Sequence, residues 1–413
     1  MLPFADRPYT FTPPSYFAPT AWFLRAMSTR FRLPRVFRIR QFNLLHADRV
    51  RPDVKTRLVL IANHSTHIDA PLLIEACHRV GVKPRTMAAY DVYLRGRFDA
   101  FVLRRLGCFS VDREASDKQA LDEAAKTIEQ GRFSLTLFPE GNVYLENDHV
   151  TPFQDGAALL AVRGAKALAE QGVRVVIQPV ALKLTHMTDC RPALVRLIDG
   201  LAQRIGVKLD RSMSPADALG LIARSALRQE LTARGIEPPT SDDLPAMVRL
   251  AASRVLDALE GKLEIEAKPD DDAMDRVRRA RRVIHEALLD TARSAENTAM
   301  RQHANEAMLA FRIASYSPTY VREKPTLDRI GEWVEKLHED LHDVILPAYA
   351  NRAATLSFAE PIDVSALLAS GIKQKQLIGQ LTQSMEQAIQ RELDAINAAN
   401  TLPGGTLWTS AIG

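Results

Sequence analysis

The chain has 413 residues, of which 46% are hydrophobic and 25% are charged. This composition is typical of globular proteins and excludes disorder throughout, and the length indicates two to three domains with ample core. The three cysteines are scattered, which excludes a disulfide framework and fits a reducing compartment. The start has no apolar region typical of a secretory signal, and no run approaches about 18 apolar residues, so we expect neither a signal peptide nor a transmembrane helix.

Residues 1–51 form a basic arm that is rich in aromatic rings. They contain nine arginines against two aspartates, a balance of +7, although the whole chain carries only +4. Ten aromatic rings are interspersed with these arginines. Rings at headgroup depth and arginines that attract anionic lipid suit a membrane surface. The alternatives are an arm that binds nucleic acid and an arm that packs on the protein core.

The first strong motif, NHSTHID at 63–69, follows a short run of branched apolar residues at 57–62 that predicts a buried strand. The apolar spacing over 68–80 predicts a helix. We therefore expect His64 in a strand-to-helix loop and Asp69 on the first helical turn, where the helix dipole favours a carboxylate. Such a carboxylate would hold the imidazole in one tautomer and stabilise its protonated form. The motif thus predicts His64 as a general base and Asp69 as the group that orients it.

Two other interpretations of this motif stay open. His64, His67 and Asp69 are residue types that bind metals, although their spacing matches none of the usual zinc patterns. His64 alone would also fit a purely structural role in a loop or a helix cap. We interpret His67 as packing at the start of the helix or a minor site contact. We predict no metal and no other bound cofactor.

Two further motifs also accompany strand-like runs. The segment GCFSVDR at 107–113 ends in Arg113, whose guanidinium fork matches phosphate oxygens two at a time. A surface Asp–Arg pair is the alternative interpretation. The apolar run 133–138 predicts another buried strand, and Glu140 and Gly141 follow it. These two residues would lie at the carboxyl end of that strand and face the same crevice as His64.

In this order, NHSTHID, GCFSVDR and the FPEG segment at 138–141 resemble the catalytic blocks of the glycerolipid acyltransferases, the lysophosphatidate acyltransferase family. The resemblance implies transfer of a fatty acyl group from a thioester to a lipid hydroxyl. It also implies that Glu140 and Gly141 place the acceptor's glycerol and that Arg113 binds its phosphate. The chain departs from the family at 142–143, where Asn-Val replaces a small polar residue followed by arginine. One phosphate-binding charge is therefore absent from its usual place.

The remaining elements extend this resemblance. The run 175–183 predicts a strand with a central proline, similar to the family's last motif. From about 199 to 350 one helical pattern follows another, and the basic run 276–282 is interpreted as a solvated helix face, with membrane contact as the alternative. Strand-like spacing returns at 354–358, and a long amphipathic helix is predicted over about 375–395.

We therefore expect an α/β fold, with a glycerolipid-acyltransferase-like sheet that is flanked by helices and split by a large all-helical insertion. The expected division is a membrane-interface arm at 1–51, an acyltransferase domain in two pieces at 52–198 and 353–398, and the helical insertion at 199–352.

The predicted function is that of an O-acyltransferase, with acyl-CoA or acyl carrier protein as donor and a lysophospholipid-like acceptor. Because no G-x-S-x-G serine motif is present, the acceptor's hydroxyl would attack directly while His64 takes its proton. We expect a cytoplasmic protein, held at the inner face of an anionic membrane, with no nucleic-acid partner. The alternative is a catalytically silent lipid-binding or scaffold protein with the same fold. Val143, in place of the usual arginine, favours this alternative, and the intact His64, Asp69 and Glu140 oppose it.

Overall fold

A mixed sheet forms the centre of the computed structural model, which describes residues 9–114, 117–266, 268, 270–289 and 297–413. The strands in this described part are β1 (Ile39–Leu45), β2 (Thr56–Ala62), β3 (Pro84–Ala89), β4 (Phe109–Val111), β5 (Ser134–Leu137), β6 (Arg174–His186), β7 (Arg352–Phe358) and β8 (Ile362–Asp363). Their order across the sheet is β1-β7-β6-β2-β5-β3-β4, and β8 pairs with β6.

Helices surround this sheet and also form a region of their own between β6 and β7. The helices before β6 are α1 (Ala18–Met27), a π-helical segment (Ser28–Val36), α2 (Asp69–Arg79), α3 (Tyr90–Leu94), α4 (Arg97–Arg105), α5 (Lys118–Gln130) and α6 (Gly156–Leu168). The helical region comprises α7 (Arg191–Ile205), α8 (Pro215–Ala233), α9 (Leu244–Leu263), α10 (Ala273–Leu289), α11 (Asn297–Ala314), α12 (Tyr320–Glu323) and α13 (Leu327–His342). After β7 come α14 (Val364–Ala369) and α15 (Gln374–Ala398).

The predicted fold class, a sheet flanked by helices with a long helical stretch inside the chain, is confirmed. After the helical region the chain returns to the sheet, where Leu356 of β7 pairs antiparallel with Leu182 of β6. Strand β6 in turn pairs parallel with β2, with Ile177 beside Val59. Strand β1 lies within the stretch that the sequence assigned to the arm, and it extends the sheet as a parallel neighbour of β7.

Strands β2 to β6 run parallel to one another, so their carboxyl ends lie at one edge of the sheet. The first and third sequence motifs follow β2 and β5, and the second spans β4 and ends just after it. In parallel sheets, binding and catalytic groups gather in the loops at the carboxyl ends of the strands. The topology therefore brings together motifs that are far apart in the sequence.

Apolar side chains cover both faces of the sheet. Helix α15 contributes Leu377, Leu381 and Met385 to the core on one face, at the spacing of a single helical stripe. On the other face α2 contributes Leu72 and Leu73. Parallel strands buried on both faces are expected to be apolar throughout, which accounts for the uninterrupted apolar runs in the sequence.

The helical region has its own apolar cores, and one of them includes a residue from the motif loops. Trp333 of α13 packs with residues of α7 and α8 and with Trp408 near the end of the chain. A second core joins Val277 of α10 and Phe311 of α11 to Tyr144, which lies just beyond the FPEG motif. The helical region therefore packs directly on the edge of the sheet where the motifs lie.

Candidate functional site

Asn63 holds the end of β2 in place immediately before His64. Its fully buried side chain accepts the N–H of Leu182 at 2.7 Å and donates to the carbonyl of Leu182 at 2.9 Å. The last backbone pair between these strands is Ala62 with Val180, so the Asn63 amide continues the ladder by one more step. The loop that carries His64 therefore starts from a fixed point.

His64 and Asp69 form the pair that the sequence predicts. Nδ1 of His64 lies 3.0 Å from Oδ2 of Asp69, which is fully buried at the start of α2. The same carboxylate accepts the backbone N–H of Thr66 at 2.7 Å and the Thr66 hydroxyl. The imidazole stacks on the ring of Phe138 at 4.4 Å and keeps 20% of its side chain exposed. With Nδ1–H donating to Asp69, Nε2 is the nitrogen that would accept a proton.

Glu140 joins the first motif to the third. Its Oε1 accepts the backbone N–H of His64 at 2.7 Å, and its Oε2 accepts the hydroxyl of Thr151. Burial raises the pKa of Glu140 to about 8, although both hydrogen bonds act in the opposite direction. Since both carboxyl oxygens bind within the protein, Glu140 fixes the position of the His64 backbone.

Gly141 is the residue that the following turn requires. Its φ of +74° lies in the left-handed region, and a Cβ at this position would come within 2.4 Å of Nε2 of Gln154. Its N–H donates to the carbonyl of Phe138 at 3.0 Å. A side chain at this position would strain the turn and displace Gln154.

Arg113 connects the second motif to the third. Its Nη1 donates to the carbonyl of Gly141 at 2.9 Å and to the side chain of Asn142 at 2.8 Å, and its Nη2 lies 3.3 Å from Asp91 of α3. Asn142 therefore anchors Arg113 at the position where the motif departs from the family pattern. The predicted site residues thus fall into two linked groups, His64, Asp69 and Glu140 in one, and Arg113 and Gly141 in the other.

Sequence reasoning did not single out Asn147, which repeats the role of Asn63 one step further along β6. Its side chain accepts the N–H of Leu184 at 3.1 Å and donates to the Leu184 carbonyl. Its backbone N–H donates to Glu332 of α13 at 3.0 Å. No recognisable motif surrounds this asparagine, so only the register of β6 reveals its role.

Helix α13 also holds the loop that borders His64. Nζ of Lys336 donates to the carbonyl of Tyr144 at 3.0 Å and to that of Ser315. The N–H of Tyr144 lies 3.4 Å from the carbonyl of His64. Burial lowers the pKa of Lys336, and the nearby Glu146 opposes this change. The helical region is therefore connected to the His64 loop through hydrogen bonds to the backbone at Tyr144.

A buried ionic network lies beneath the same loop. One oxygen of Asp148 accepts Nζ of Lys183 on β6, and the other accepts Nε of Arg329 on α13 at 2.7 Å. Burial alone would raise the pKa of Asp148, but the two cations outweigh it and hold this pKa well below its usual range. Burial, and then the charge of Asp148, raises the pKa of Glu332 to about 8. Removing one member would leave an uncompensated buried charge.

The prediction that the basic run 276–282 is a solvated helix face is wrong for Arg281. Arg281 of α10 is buried and forms a salt bridge with Glu114, next to the second motif. One turn later, His285 lies 2.9 Å from Asp112. Arg281 and His285 share a helix face because they are four residues apart. The packing of this face on the second motif removes it from solvent.

Arg278, on the same helix, lies near the site and remains half exposed. Burial raises the pKa of Tyr144 to about 12, and the Glu140 carboxylate acts in the same direction. The guanidinium groups of Arg278 and Arg113 oppose both effects, since positive charge favours a phenolate. The surroundings of Tyr144 thus include two arginines, one from the second motif and one from the helical region.

His67 does not converge on the His64–Asp69 pair. Its Nε2 lies 3.0 Å from both carboxylate oxygens of Glu339 on α13, so it joins the first motif to the helical region. Among the residues that the structure describes, no three His, Cys, Asp or Glu side chains are grouped as a metal site would need. His64, His67 and Asp69 are therefore not arranged as a metal-ligand set.

Comparison with known families identifies the segment that carries the site. Residues 41–183 match the family model described as Acyltransferase, which is about a third of the chain. The match runs from β1 to β6 and includes all three motifs, so this is the part of the chain that is similar to the acyltransferase family. The helical region and β7 lie outside it. Comparison with curated proteins found no match. Within the described ranges, no helix has the length and apolar character needed to span a bilayer.

Proposed function

We propose that this protein is an O-acyltransferase that moves a fatty acyl group from acyl-CoA or acyl carrier protein to the hydroxyl of a lysophospholipid-like acceptor. The observation that carries this proposal is the His64–Asp69 pair, at 3.0 Å, within the segment that matches the acyltransferase family model. A base oriented by a buried carboxylate suits the activation of a hydroxyl group.

The reaction needs no covalent enzyme intermediate. The acceptor's hydroxyl approaches Nε2 of His64, which takes the proton as the hydroxyl oxygen attacks the thioester carbonyl. The new ester C–O bond forms, the C–S bond breaks, and the proton passes from His64 to the departing thiolate. Asp69 stabilises the imidazolium while it carries this proton. Glu140 serves the reaction by fixing the backbone of His64.

The acceptor carries an anionic headgroup in this proposal. Arg113 would bind it from the second motif, and the turn at Gly141 would place its glycerol. Val143 leaves the usual third-motif charge missing, and the half-exposed Arg278 of α10, which pairs with Asp275, is a positive charge that acts on Tyr144 together with Arg113. A headgroup bound between Arg113 and Arg278 would be recognised by charge-assisted hydrogen bonds.

Peripheral attachment to the inner face of an anionic membrane, in the cytoplasm, completes the proposal. Residues 1–8 of the arm, with Phe4, Asp6 and Arg7, lie outside the described residues. The described part exposes Trp22 by 64% and Phe23 by 57%. Deletion of the residues before Val54 would remove the arm, but it would also remove β1 and expose the unpaired edge of β7. The sharper test is therefore Trp22→Ser with Phe23→Ser, for which we expect weaker sedimentation with anionic vesicles.

An acyl-transfer assay tests the reaction itself, with both donor types and a panel of lysolipids. His64→Ala should lose about 10²–10⁴-fold in rate with the fold intact, since that is the usual contribution of a positioned base. The matched control is His46→Ala, which removes a half-exposed histidine that shares a pocket with Thr56, at the opposite end of β2 from His64. Retention of more than about a tenth of the rate by His64→Ala would contradict the base assignment. Activity should persist in the presence of a chelator.

The second candidate is a catalytically silent lipid-binding protein, and Val143 is the observation that favours it. This candidate predicts vesicle binding without turnover for every donor and acceptor tested. It also predicts that His64→Ala changes nothing. The panel assay therefore separates the two candidates.

A further inference from the structure

Helix α4 is an unusual element because both of its phenylalanines face outward. Phe98 is 71% exposed and Phe101 is 45% exposed, and they lie three residues apart on one side of the helix. All nine residues of α4 belong to the described part of the chain, and none of them is buried. A large exposed apolar surface of this kind marks a contact with a membrane or a partner.

This helix adjoins the exposed rings of the arm. Helix α4 packs against α1, and the N–H of Ser15 donates to the carbonyl of Arg104 at 3.0 Å. Nη1 of Arg105 donates to the Ser15 hydroxyl at 3.2 Å. The segment that leads into α1 is therefore fixed to the end of α4. Trp22 and Phe23 are exposed on α1, and Phe98 and Phe101 are exposed on α4, which packs against it; we name these four rings the aromatic face.

The charge around the aromatic face favours an anionic bilayer over a protein partner. Residues 17–38 contain five arginines and no acidic residue, and residues 95–105 contain four arginines with Asp99 as their only acid. Guanidinium groups lie over rings in both segments, with Arg35 at 5.0 Å from Phe31 and Arg105 at 5.4 Å from Phe101. Rings flanked by arginines suit the headgroup depth of an anionic membrane, where both groups are satisfied.

Helix α4 is also close in sequence to the site. Asp91 of α3, six residues before α4 begins, forms the salt bridge with Arg113. Helix α3 also packs against α4, so a membrane that contacts α4 would lie close to the Arg113 side of the site.

We propose that α4 is a second membrane-binding helix, which docks on an anionic bilayer beside α1 and presents the Arg113 side of the site to the lipid surface. The docking itself does not depend on the reaction, whereas its benefit to the acceptor rests on the proposed function. The occupant of this surface is a bilayer that contains anionic lipid.

The test is flotation of the full chain with vesicles of phosphatidylcholine, alone or mixed with phosphatidylglycerol. Phe98→Ser combined with Phe101→Ser should weaken binding to the anionic vesicles by about tenfold or more, because two rings no longer enter the interface. Binding should also fall as salt rises. The matched control is Leu159→Ser with Leu250→Ser, which removes side chains that are 41% and 47% exposed on α6 and α9. Unchanged binding of the α4 variant, or an equal loss in the control, would overturn the proposal.

Activity measurements separate this proposal from the proposed function. The α4 variant should transfer acyl groups to a dispersed short-chain lysolipid at the wild-type rate, and lose about tenfold with acceptor embedded in vesicles. An equal loss on both acceptors would assign α4 to the fold of the site and overturn its role as a membrane-binding helix. If wild-type protein acylates no acceptor, the proposed function fails, and flotation still decides whether α4 docks.

Discussion

The Asp69→Asn substitution isolates the charge of the carboxylate that orients His64. Oδ2 of Asp69 accepts from both His64 Nδ1 and the Thr66 N–H, and Oδ1 accepts the Thr66 hydroxyl. The backbone N–H of Thr66 can only donate, so the amide oxygen of the new side chain should take the position of Oδ2, where it also faces His64. The amide nitrogen would then face the Thr66 hydroxyl, which can accept. We therefore expect the fold and the ring orientation to persist while the negative charge is lost.

The expected loss follows from the distance and the exposure of this pair. Two unit charges about 4 Å apart interact by about 4 kcal/mol at an effective dielectric constant of about 20. Because about 1.4 kcal/mol corresponds to tenfold in rate, this interaction allows at most a loss of about 10³-fold. His64 keeps 20% of its side chain exposed, so water screens part of the interaction. We expect the rate of acyl transfer to fall by about 10²-fold.

The assay measures kcat and kcat/KM for thiol release from acyl-CoA, together with thermal unfolding. The chain offers a matched control in a second buried pair, because Nδ1 of His186 lies 2.8 Å from Asp328. Asp328→Asn should lower stability yet leave the rate of the folded protein within about threefold of wild type. If Asp69→Asn melts like the wild type and also keeps a rate within that threefold range, Asp69 does not stabilise the protonated His64.

Three further predictions concern the surroundings of the site. Glu332 has a folded-state pKa of about 8 against an ordinary 4.5, so the folded state holds a proton that the unfolded state releases between these values. Stability should therefore fall as pH rises through that window, and Glu332→Gln should flatten the decline in thermal unfolding measured at several pH values. Lys336→Met should lower stability by about 1–3 kcal/mol and reduce kcat, because the carbonyl of Tyr144 loses its donor. An unchanged kcat, measured in samples with the same folded fraction as the wild type, would contradict this. Arg278→Gln should raise KM by about tenfold or more for phosphorylated acceptors and leave an uncharged acceptor unaffected, whereas Arg282→Gln on the exposed side of α10 should change neither.

The local framework of the site was predictable from the sequence. The apolar run before NHSTHID and the helical spacing after it placed His64 in a loop and Asp69 on a first helical turn, as the structure has them. These features were predictable because strand, loop and helix signals act over a few residues. The change of pattern at 354–358 likewise predicted β7, since a strand needs neighbours with which to pair.

The sequence also separated the helical region from the sheet, but it contained no sign of how firmly the two are joined. Glu332 bonds to Asn147 across 185 residues of chain, and Lys336 bonds to Tyr144 across 192. The basic run on α10 likewise gave no indication that Arg281 is buried against Glu114.

These long-range partners depend on the assembled tertiary structure. The burial of a charged side chain depends on which surface packs over it, and the residues of α10 and α13 meet the motif loops only in the complete fold. Local patterns report helix faces and strand ends, whereas long-range polar pairs follow from the register of β6 and the packing of helices on it. The His64–Asp69 pairing is therefore encoded locally, whereas the neighbouring segment 144–147 is held by residues of α13 that follow it by almost two hundred positions.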